Sequence, residues 1–446
     1  MNAVPAPSGA QSWPQPRYAW YVVVLLLMSY AFGMVDRNIM GLLVPYIEAD
    51  LNITDFEMGL LQGPAFGVFF AVAALPIGML VDRWRRVPVL WMGLLVWSLA
   101  TIASGFLGSF AGLFIARMLV GAGEASTTPV SASTIADTFP PAERGKAFGA
   151  FQAGGTVGLG MGNLLSAFAL VLVVQVQELW PSVLGQMRNW QVVFLLVGLP
   201  GLLLVVLIAF TMREPGRFGA AQQVPEITFR PLLAEVRANW PALTAVIVAT
   251  VMNALVIYAK GAWFPTLFMR VHEWTPQKVG FALAIVGVPL GLFSCLTAGW
   301  VLSWLEKRGR RDGPMLVMCL QCASWMIFGP LQSLASSATG TLVWHAGTAL
   351  FATWCITAAF TALSRITPNR LRGQVMALYS VVLAFVGLSL GPPLVGFLNT
   401  RVFVGSDAVA YSLAWVSAVV GLIGVLVSWF GRRAYTRAVV RAESME

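Results

Sequence analysis

Charged residues are scarce in this chain of 446 residues, of which only 11% are charged and 58% are hydrophobic. Soluble globular domains carry about 25% charged residues, so the composition excludes a soluble protein and indicates a polytopic membrane protein. The net charge is +9, but the basic residues gather in short loops between apolar runs. This distribution is typical of a topology signal, and we expect no nucleic-acid partner.

Cysteine is also rare, and all four cysteines fall inside predicted membrane helices. Cys319 and Cys322 have the spacing of a redox or zinc motif, but no second ligand pair accompanies them, so packing is the better interpretation. The predicted spans contain neither a nucleophile–base set nor a metal-ligand cluster. The sequence therefore predicts a protein that is not an enzyme and that holds no cofactor.

Twelve apolar stretches are long enough to cross a bilayer, which requires about 20 helical residues. They are 20–47, 57–81, 88–107, 109–135, 146–174, 190–212, 240–268, 277–303, 314–334, 339–362, 373–399 and 408–431. Most Lys and Arg residues lie in the loops that share a side with both termini. The loops of the other side hold Arg188, Arg270, Lys278 and Arg401. The positive-inside rule then places both termini in the cytoplasm, and we expect a bacterial cytoplasmic (inner) membrane.

The chain repeats itself. A motif that begins with Arg144-Gly-Lys opens the fifth stretch, and a similar motif that begins with Arg372-Gly-Gln opens the eleventh. The predicted fold is therefore all-α, with two pseudo-symmetric bundles of six helices each. The predicted parts are a cytoplasmic tail (1–19, without the features of a signal peptide), an N-terminal bundle (20–212), a connector (213–239), a C-terminal bundle (240–431) and a second cytoplasmic tail (432–446).

The loop between the second and third stretches reads GMLVDRWRR over 78–86. With the repeat, this loop resembles the major facilitator superfamily over nearly the whole chain. The resemblance implies two bundles that rock around a site at the middle of the membrane. Asp82 ends a helix where it can meet basic side chains or a helix N-terminus of the other half, and such a contact exists in one rocking state only. We therefore predict a latch that closes the cytoplasmic side. Its members are Gly78, Asp82, Arg83, Arg86, Arg144 and Arg372.

Four charged residues lie deep inside predicted spans. Asp36 and Arg37 interrupt the first stretch, and Arg117 and Glu124 interrupt the fourth. A charge at membrane depth costs at least about 2.5–3.5 kcal/mol and usually marks an ion or substrate path. Arg117 and Glu124 share one helical face, and Gly121 between them permits close approach of another backbone or a substrate.

Arginine stays charged, so the residues of this group that can exchange a proton are Asp36 and Glu124. A carboxylate that changes its arginine partner as the protein rocks also changes its affinity for a proton. We therefore predict proton coupling through Asp36 and Glu124, with Arg37 and Arg117 as a charge network or a substrate site. A static, fully paired network is the alternative.

The combination of Asp36-Arg37, the loop 78–86 and the run RMLVGAGE from Arg117 resembles the spinster-like branch of the superfamily. The stretch 390–396, which reads LGPPLVG, is similar to that branch as well. The branch includes lysophospholipid and sphingosine-1-phosphate transporters. The resemblance therefore implies a lipid-like substrate.

Two further polar residues lie inside spans of the C-terminal half. Lys260 lies toward the outer end of the seventh stretch, where snorkelling to the interface is an alternative to a site role. His345 follows Arg117 by the same interval that separates Arg372 from Arg144, and it therefore occupies the repeat position of Arg117. We include both as candidates for the substrate or charge network.

These observations predict a secondary active transporter, coupled to a proton gradient, that moves an amphiphilic substrate such as a lysolipid or other lipid-like anion. The alternative is a small organic anion, a carboxylate or sugar acid, held by Arg37 or Arg117. The fifth stretch lacks the Gly-Pro pair of drug/proton antiporters, which weakens a multidrug-efflux reading. The expected partners are the substrate and membrane lipids, and the expected oligomeric state is a monomer.

Overall fold

The computed structural model describes residues 13–216, 229–368 and 371–444. Within these ranges the regular structure consists of helices only. Most of the predicted N-terminal tail and the middle of the predicted connector lie outside the described residues.

The helices of the N-terminal half form the first six crossings. They are α1 (Pro16–Leu51), α2 (Asp55–Gln62), α3 (Pro64–Arg83), α4 (Arg86–Ser104), α5 (Phe110–Glu124), α6 (Thr127–Thr138), α7 (Pro141–Leu179), α8 (Pro181–Leu184) and α9 (Asn189–Thr211).

The helices of the C-terminal half form the remaining crossings. They are α10 (Phe229–Arg270), α11 (Pro276–Lys307), α12 (Gly313–Ser333), α13 (Ala338–Ala349), α14 (Trp354–Ile366), α15 (Arg372–Val382), a π-helical segment (Leu383–Leu388), α16 (Ser389–Arg401) and α17 (Ala408–Glu443).

Eleven segments of the described chain are long and apolar enough to cross a membrane. The remaining predicted crossing, 109–135, is divided by a break at Ala125 and Ser126 into α5 with 15 residues and α6 with 12. Neither alone reaches the roughly 20 residues that a span needs, but together they do. The prediction of an all-α polytopic fold with twelve crossings in two halves is confirmed.

Some helices continue beyond the predicted limits of the bundles. The second part of the predicted connector belongs to α10, which is kinked at Asn239. Most of the predicted C-terminal tail belongs to α17. The division of the chain into the five predicted parts stays a prediction.

The repeat extends to the details of the helix ends. The hydroxyl of Ser109 accepts a hydrogen bond from the Gly112 amide at the start of α5. Ser337, at the repeat position of Ser109, accepts the same bond from the Gly340 amide at the start of α13. Such side-chain caps satisfy one of the unpaired amides of a helix N-terminus. The fourth crossing of each half therefore begins in the same way. The fourth crossing of the C-terminal half is also broken, like that of the N-terminal half, and its break lies at 350–353.

The two halves contact each other near the face opposite the chain termini. A methyl group on Gly41 of α1 would lie 3.1 Å from the carbonyl oxygens of Gly261 and Ala262 on α10. One on Gly59 of α2 would lie 2.7 Å from Cα of Pro393 on α16. A real Cβ atom is essentially never found as close as the 2.7 Å at Gly59, and the 3.1 Å at Gly41 is tighter than nearly all real contacts, so the absence of a side chain at both positions permits the two halves to pack closely. A buried cluster that combines side chains of both halves lies in the same region.

Four glycines have open space beside them near the face that holds the termini, which we call the terminal face. A methyl group on Gly78 of α3, Gly149 of α7, Gly299 of α11 or Gly373 of α15 would meet no atom within 4 Å. All four glycines lie toward this face. The glycines near the opposite face, by contrast, pack against the other half.

Candidate functional site

An ion pair joins α1 to α5 in the middle of the N-terminal half. Nη1 of Arg117 lies 3.0 Å from Oδ2 of Asp36. The hydroxyl of Thr101, on α4, donates to Oδ1 of Asp36 at 2.8 Å. Asp36 is 1% exposed and Arg117 2%. A buried carboxylate requires such partners, because an isolated charge in a low-dielectric interior is very costly.

A second ion pair joins the same two helices. Nη2 of Arg37 lies 2.6 Å from Oε1 of Glu124, and Nε of Arg37 donates to Oε2 at 3.1 Å. This is the two-bond geometry in which arginine holds a carboxylate most firmly. A methyl group on Gly33 of α1 would lie 2.6 Å from Oε1 of Glu124, so this glycine makes room for the carboxylate.

Phe66 of α3 lies between the two pairs. Its ring centroid is 4.6 Å from Cζ of Arg37 and 5.5 Å from Cζ of Arg117, within the range of cation–π attraction. Gly121 of α5 packs directly on the backbone carbonyl of Phe66. The close approach expected at Gly121 is therefore made by α3, and it positions an aromatic ring against both guanidinium groups.

The C-terminal half contains a different polar cluster, around Lys260 of α10. Nζ of Lys260 lies 2.9 Å from Oε1 of Gln332 and 2.9 Å from the hydroxyl of Thr348. Its third partner is Nδ1 of His345, at 2.7 Å. Lys260 is 9% exposed and points into the protein, so snorkelling to the interface does not describe its position.

A cavity of about 430 Å³ separates the two clusters. Arg37, Arg117, Lys260 and His345 all line it, whereas Asp36 and Glu124 lie behind their arginines. The polar wall also includes Tyr30, Asn38, Gln62, Asn163 and Tyr258. Apolar residues of both halves complete the wall, among them Phe66, Leu159, Phe264, Leu283, Val288 and Leu388. The cavity therefore presents cationic groups from both halves within largely apolar walls.

Three residues of the predicted latch have partners inside their own half. Arg86 pairs with Asp137 at the end of α6, and the Arg86 amide donates to Glu214 at 2.7 Å. Arg144 donates to the carbonyl of Phe139. Arg372 donates in the same way to a carbonyl of its own half, that of Ser364.

The remaining latch residues lie on α3 at the terminal face, where Asp82 and Arg83 are exposed and Gly78 faces open space. The predicted contact is one between the two halves that exists in one rocking state only. The latch therefore stays a prediction.

The opposite face has an ionic cluster that the sequence did not reveal. Arg270 at the end of α10 binds Asp55 through both terminal nitrogens, at 2.8 and 3.0 Å, and it also pairs with Glu48. Asn399 of α16 donates to Asp55 at 2.7 Å. Arg270 and Asn399 belong to the C-terminal half, and the carboxylates belong to the N-terminal half. The loop position of Arg270 was visible in the sequence, but its partners were far from it along the chain.

Residues 26–392 match the model of the Major Facilitator Superfamily. The chain belongs to this family, and it is an integral membrane protein of the secondary transporter class with a small-molecule substrate, not an enzyme.

Comparison with individual proteins confirms the resemblance to the spinster-like branch. Protein spinster homolog 1 of Xenopus laevis is 28% identical over 435 residues, which cover 90% of this chain and 78% of the relative. A solved bacterial homologue of the human lysosomal transporter spinster, in an inward-facing and unoccupied conformation, has a TM-score of 0.81. It is 22% identical, with 96% of this chain and 99% of that chain covered.

The chain is also similar to transporters of another kind. The D-galactonate transporter of Escherichia coli O6:H1 is 24% identical, with 92% of this chain and 94% of the relative covered.

Proposed function

We propose that this protein moves an amphiphilic anion across a bacterial inner membrane and that the movement is driven by a proton gradient. In this proposal the terminal face is the cytoplasmic face. The single observation that carries the proposal is the placement of two buried carboxylates behind two arginines that line the central cavity. Ionisable residues at membrane depth, facing a cavity, are typical of ion and proton paths.

Coupling follows from the pairing of Glu124 with Arg37. When Glu124 takes a proton it loses its charge, and the guanidinium of Arg37 loses its counter-ion. Arg37 lines the cavity, so its unbalanced positive charge then attracts an anionic substrate into that space. The proton and the anion then enter together. Asp36, held by Arg117 and Thr101, is the second site at which a proton can change the network.

The cavity walls favour a substrate with an apolar part. Phe66, Phe264, Val288 and Leu388 come from both halves and face the same space. Hydroxyl groups of a sugar acid would each lose water against such walls, and an unpaired hydroxyl in an apolar environment is costly. A lysolipid or similar amphiphile would place its tail there and its head among the cations.

A small sugar acid is the second candidate, and specific observations support it. The amides of Asn38, Gln62 and Asn163 line the cavity, and Nε2 of Gln62 is buried without a hydrogen-bond partner among the described residues. Such groups can bind hydroxyls. A relative named D-galactonate transporter matches nearly the full chain.

The test is uptake into liposomes that contain the purified protein, under an imposed pH gradient. The panel contains labelled lysophosphatidylglycerol, its uncharged counterpart monoacylglycerol, galactonate and galactose. We expect gradient-dependent accumulation of lysophosphatidylglycerol and none of the uncharged compounds. Accumulation of galactonate alone would replace the amphiphile with a sugar acid. Uptake that survives collapse of the gradient by a protonophore would overturn proton coupling.

A further inference from the structure

Lys260 differs from the two arginines of the cavity in the kind of partner it has. Arg117 faces Asp36 and Arg37 faces Glu124, so two positive charges balance two negative ones in the N-terminal half. Within the described part of the chain, Lys260 forms no ion pair with an acidic side chain. Its three polar partners are an amide oxygen, a hydroxyl and an imidazole nitrogen.

The surroundings of Lys260 are those of an ammonium group. A protonated lysine has three N–H donors and no acceptor, and three acceptors lie 2.7 to 2.9 Å from Nζ. The ring centroids of Phe264 and Trp325 lie 4.5 and 5.0 Å from the same nitrogen. Aromatic faces at this distance attract a cation. With the ammonium group of Lys260 as the donor, Nδ1 of His345 is the acceptor, and the ring is then neutral with its proton on Nε2.

A buried positive charge with neutral partners lacks a counter-ion, and the cavity is the place from which one can come. Lys260 lines the cavity on the side of the C-terminal half. Pairing with an anion would offset part of the cost of holding the charge away from water. Arg37 and Arg117 are each occupied by a carboxylate in this state. Of these three cavity cations, Lys260 is therefore the one with capacity for a ligand.

We propose that Lys260 binds the negative group of the substrate, so that the C-terminal half recognises the anion and the N-terminal half handles the proton. The ligand class is a molecule with one carboxylate or phosphate group. His345, Gln332 and Thr348 are positioning residues, because they hold the ammonium group and do not themselves carry opposite charge. This inference rests on the transport function proposed above and assigns its specificity to a residue outside the two ion pairs.

The experiment measures binding directly, by ligand-dependent thermal stabilisation of the purified full-length protein. The probes are lysophosphatidylglycerol and galactonate, which separate the phosphate from the carboxylate source, with monoacylglycerol and galactose as uncharged counterparts. In Lys260→Gln we expect the affinity for the bound anion to fall roughly 10- to 100-fold, the factor that corresponds to a lost hydrogen bond to a charged group. Lys260→Arg should retain part of it.

The matched control is Lys278→Gln, which removes the same charge from the start of α11, where Nζ lies over the ring of Trp274. It should bind like the wild type. A second variant, Gln332→Glu, keeps Lys260 but places a carboxylate beside it, and we expect the same loss of anion affinity. This variant tests the inference even where Lys260→Gln does not fold. Unchanged anion affinity in either folded variant would overturn the assignment to Lys260.

The outcomes separate this inference from the proposed function. Gradient-driven uptake of an anion by the wild type, with equal anion binding in Lys260→Gln, would overturn only the role of Lys260. Loss of anion binding in Lys260→Gln, with uptake that ignores the pH gradient, would support Lys260 and overturn coupling. A wild type that binds neither anion would overturn the inference, whether or not the protein moves an uncharged compound.

Discussion

The two halves build polar clusters of different character at equivalent positions. Arg117 on α5 reaches the first helix of its half, where it meets Asp36. His345 occupies the repeat position on α13 and also reaches the first helix of its half, where it meets Lys260. The N-terminal cluster contains two cations and two anions, whereas the C-terminal cluster has one cation with neutral partners.

Under the two proposals above, the duplicated scaffold has acquired two functions. The shared backbone places a side chain of the fourth crossing against one of the first crossing in both halves. The charges at these positions then decide what each half can do. Paired carboxylates can exchange a proton, and a cation without a counter-ion can bind an anion. Because both clusters face one cavity, the two events can affect each other.

The largest difference in stability between the halves should appear when the side chain of Arg117, or of His345 at the equivalent position of the other half, is removed. Arg117→Ala leaves Asp36 buried without its cation, and breaking a buried pair in this way typically costs about 3–5 kcal/mol. His345→Ala removes one acceptor of Lys260 and should cost roughly 1.5–3 kcal/mol. Thermal unfolding in detergent compares the two. Asp36→Asn added to Arg117→Ala should restore part of the stability. Equal losses in the two single variants would mean that Asp36 does not depend on Arg117.

The next difference concerns the proton. Glu124→Gln keeps the shape of the side chain but cannot titrate, so gradient-driven accumulation should disappear while exchange of substrate across the membrane continues. His345→Gln keeps an acceptor for Lys260, so accumulation should still depend on the gradient. Uptake with and without a pH gradient measures both. Glu178→Gln, at an exposed site on α7, is the control. Loss of coupling in His345→Gln would make the C-terminal half a proton carrier.

A smaller difference is expected at a pair of glycines that the repeat also relates. A methyl group on Gly33 would collide with the Glu124 carboxylate, but one on Gly261, at the repeat position of Gly33, would meet nothing within 4 Å. Gly33→Ala should therefore weaken the pair with Arg37 and cost about 1–3 kcal/mol, as overpacking does. Gly261→Ala should leave stability unchanged or raise it by about 0.5–1 kcal/mol, because alanine favours helix. A Gly33→Ala protein as stable as Gly261→Ala would show that Glu124 moves freely.

The smallest effect is expected at the terminal face, where the N-terminal half keeps the full loop and the C-terminal half has a degenerate copy. Asp82→Ala should shift the molecules toward the state open at this face, by only about 1 kcal/mol for one exposed ionic contact. Ser303→Ala, at the corresponding position of the second loop, should have no effect. The measurement is the labelling rate of cysteines introduced at Gly149 and Met376. Equal rates in the parent and Asp82→Ala would refute the latch.

The sequence predicted which residues of the N-terminal cluster belong together but not how they pair. Asp36 and Arg37 are neighbours, and adjacent helical positions point about 100° apart. Depth in the membrane brings Asp36 near Arg117, but which of Asp36 and Arg37 faces that residue depends on the rotation of α1 against α5. The role of Gly33 and the ionic cluster of Arg270 were not predictable for the same reason, since their partners are distant in sequence.

The sequence by itself determined the crossings and the duplication. A bilayer of fixed thickness selects apolar runs of fixed length, and this constraint acts along the chain, residue by residue. Only the tertiary structure decided that both cavity arginines are already paired and that Lys260, among the described residues, has no acidic partner. Pairing depends on the relative depth and rotation of helices packed side by side. These are set by close contacts such as Gly121 on Phe66, and no local pattern in the sequence encodes them.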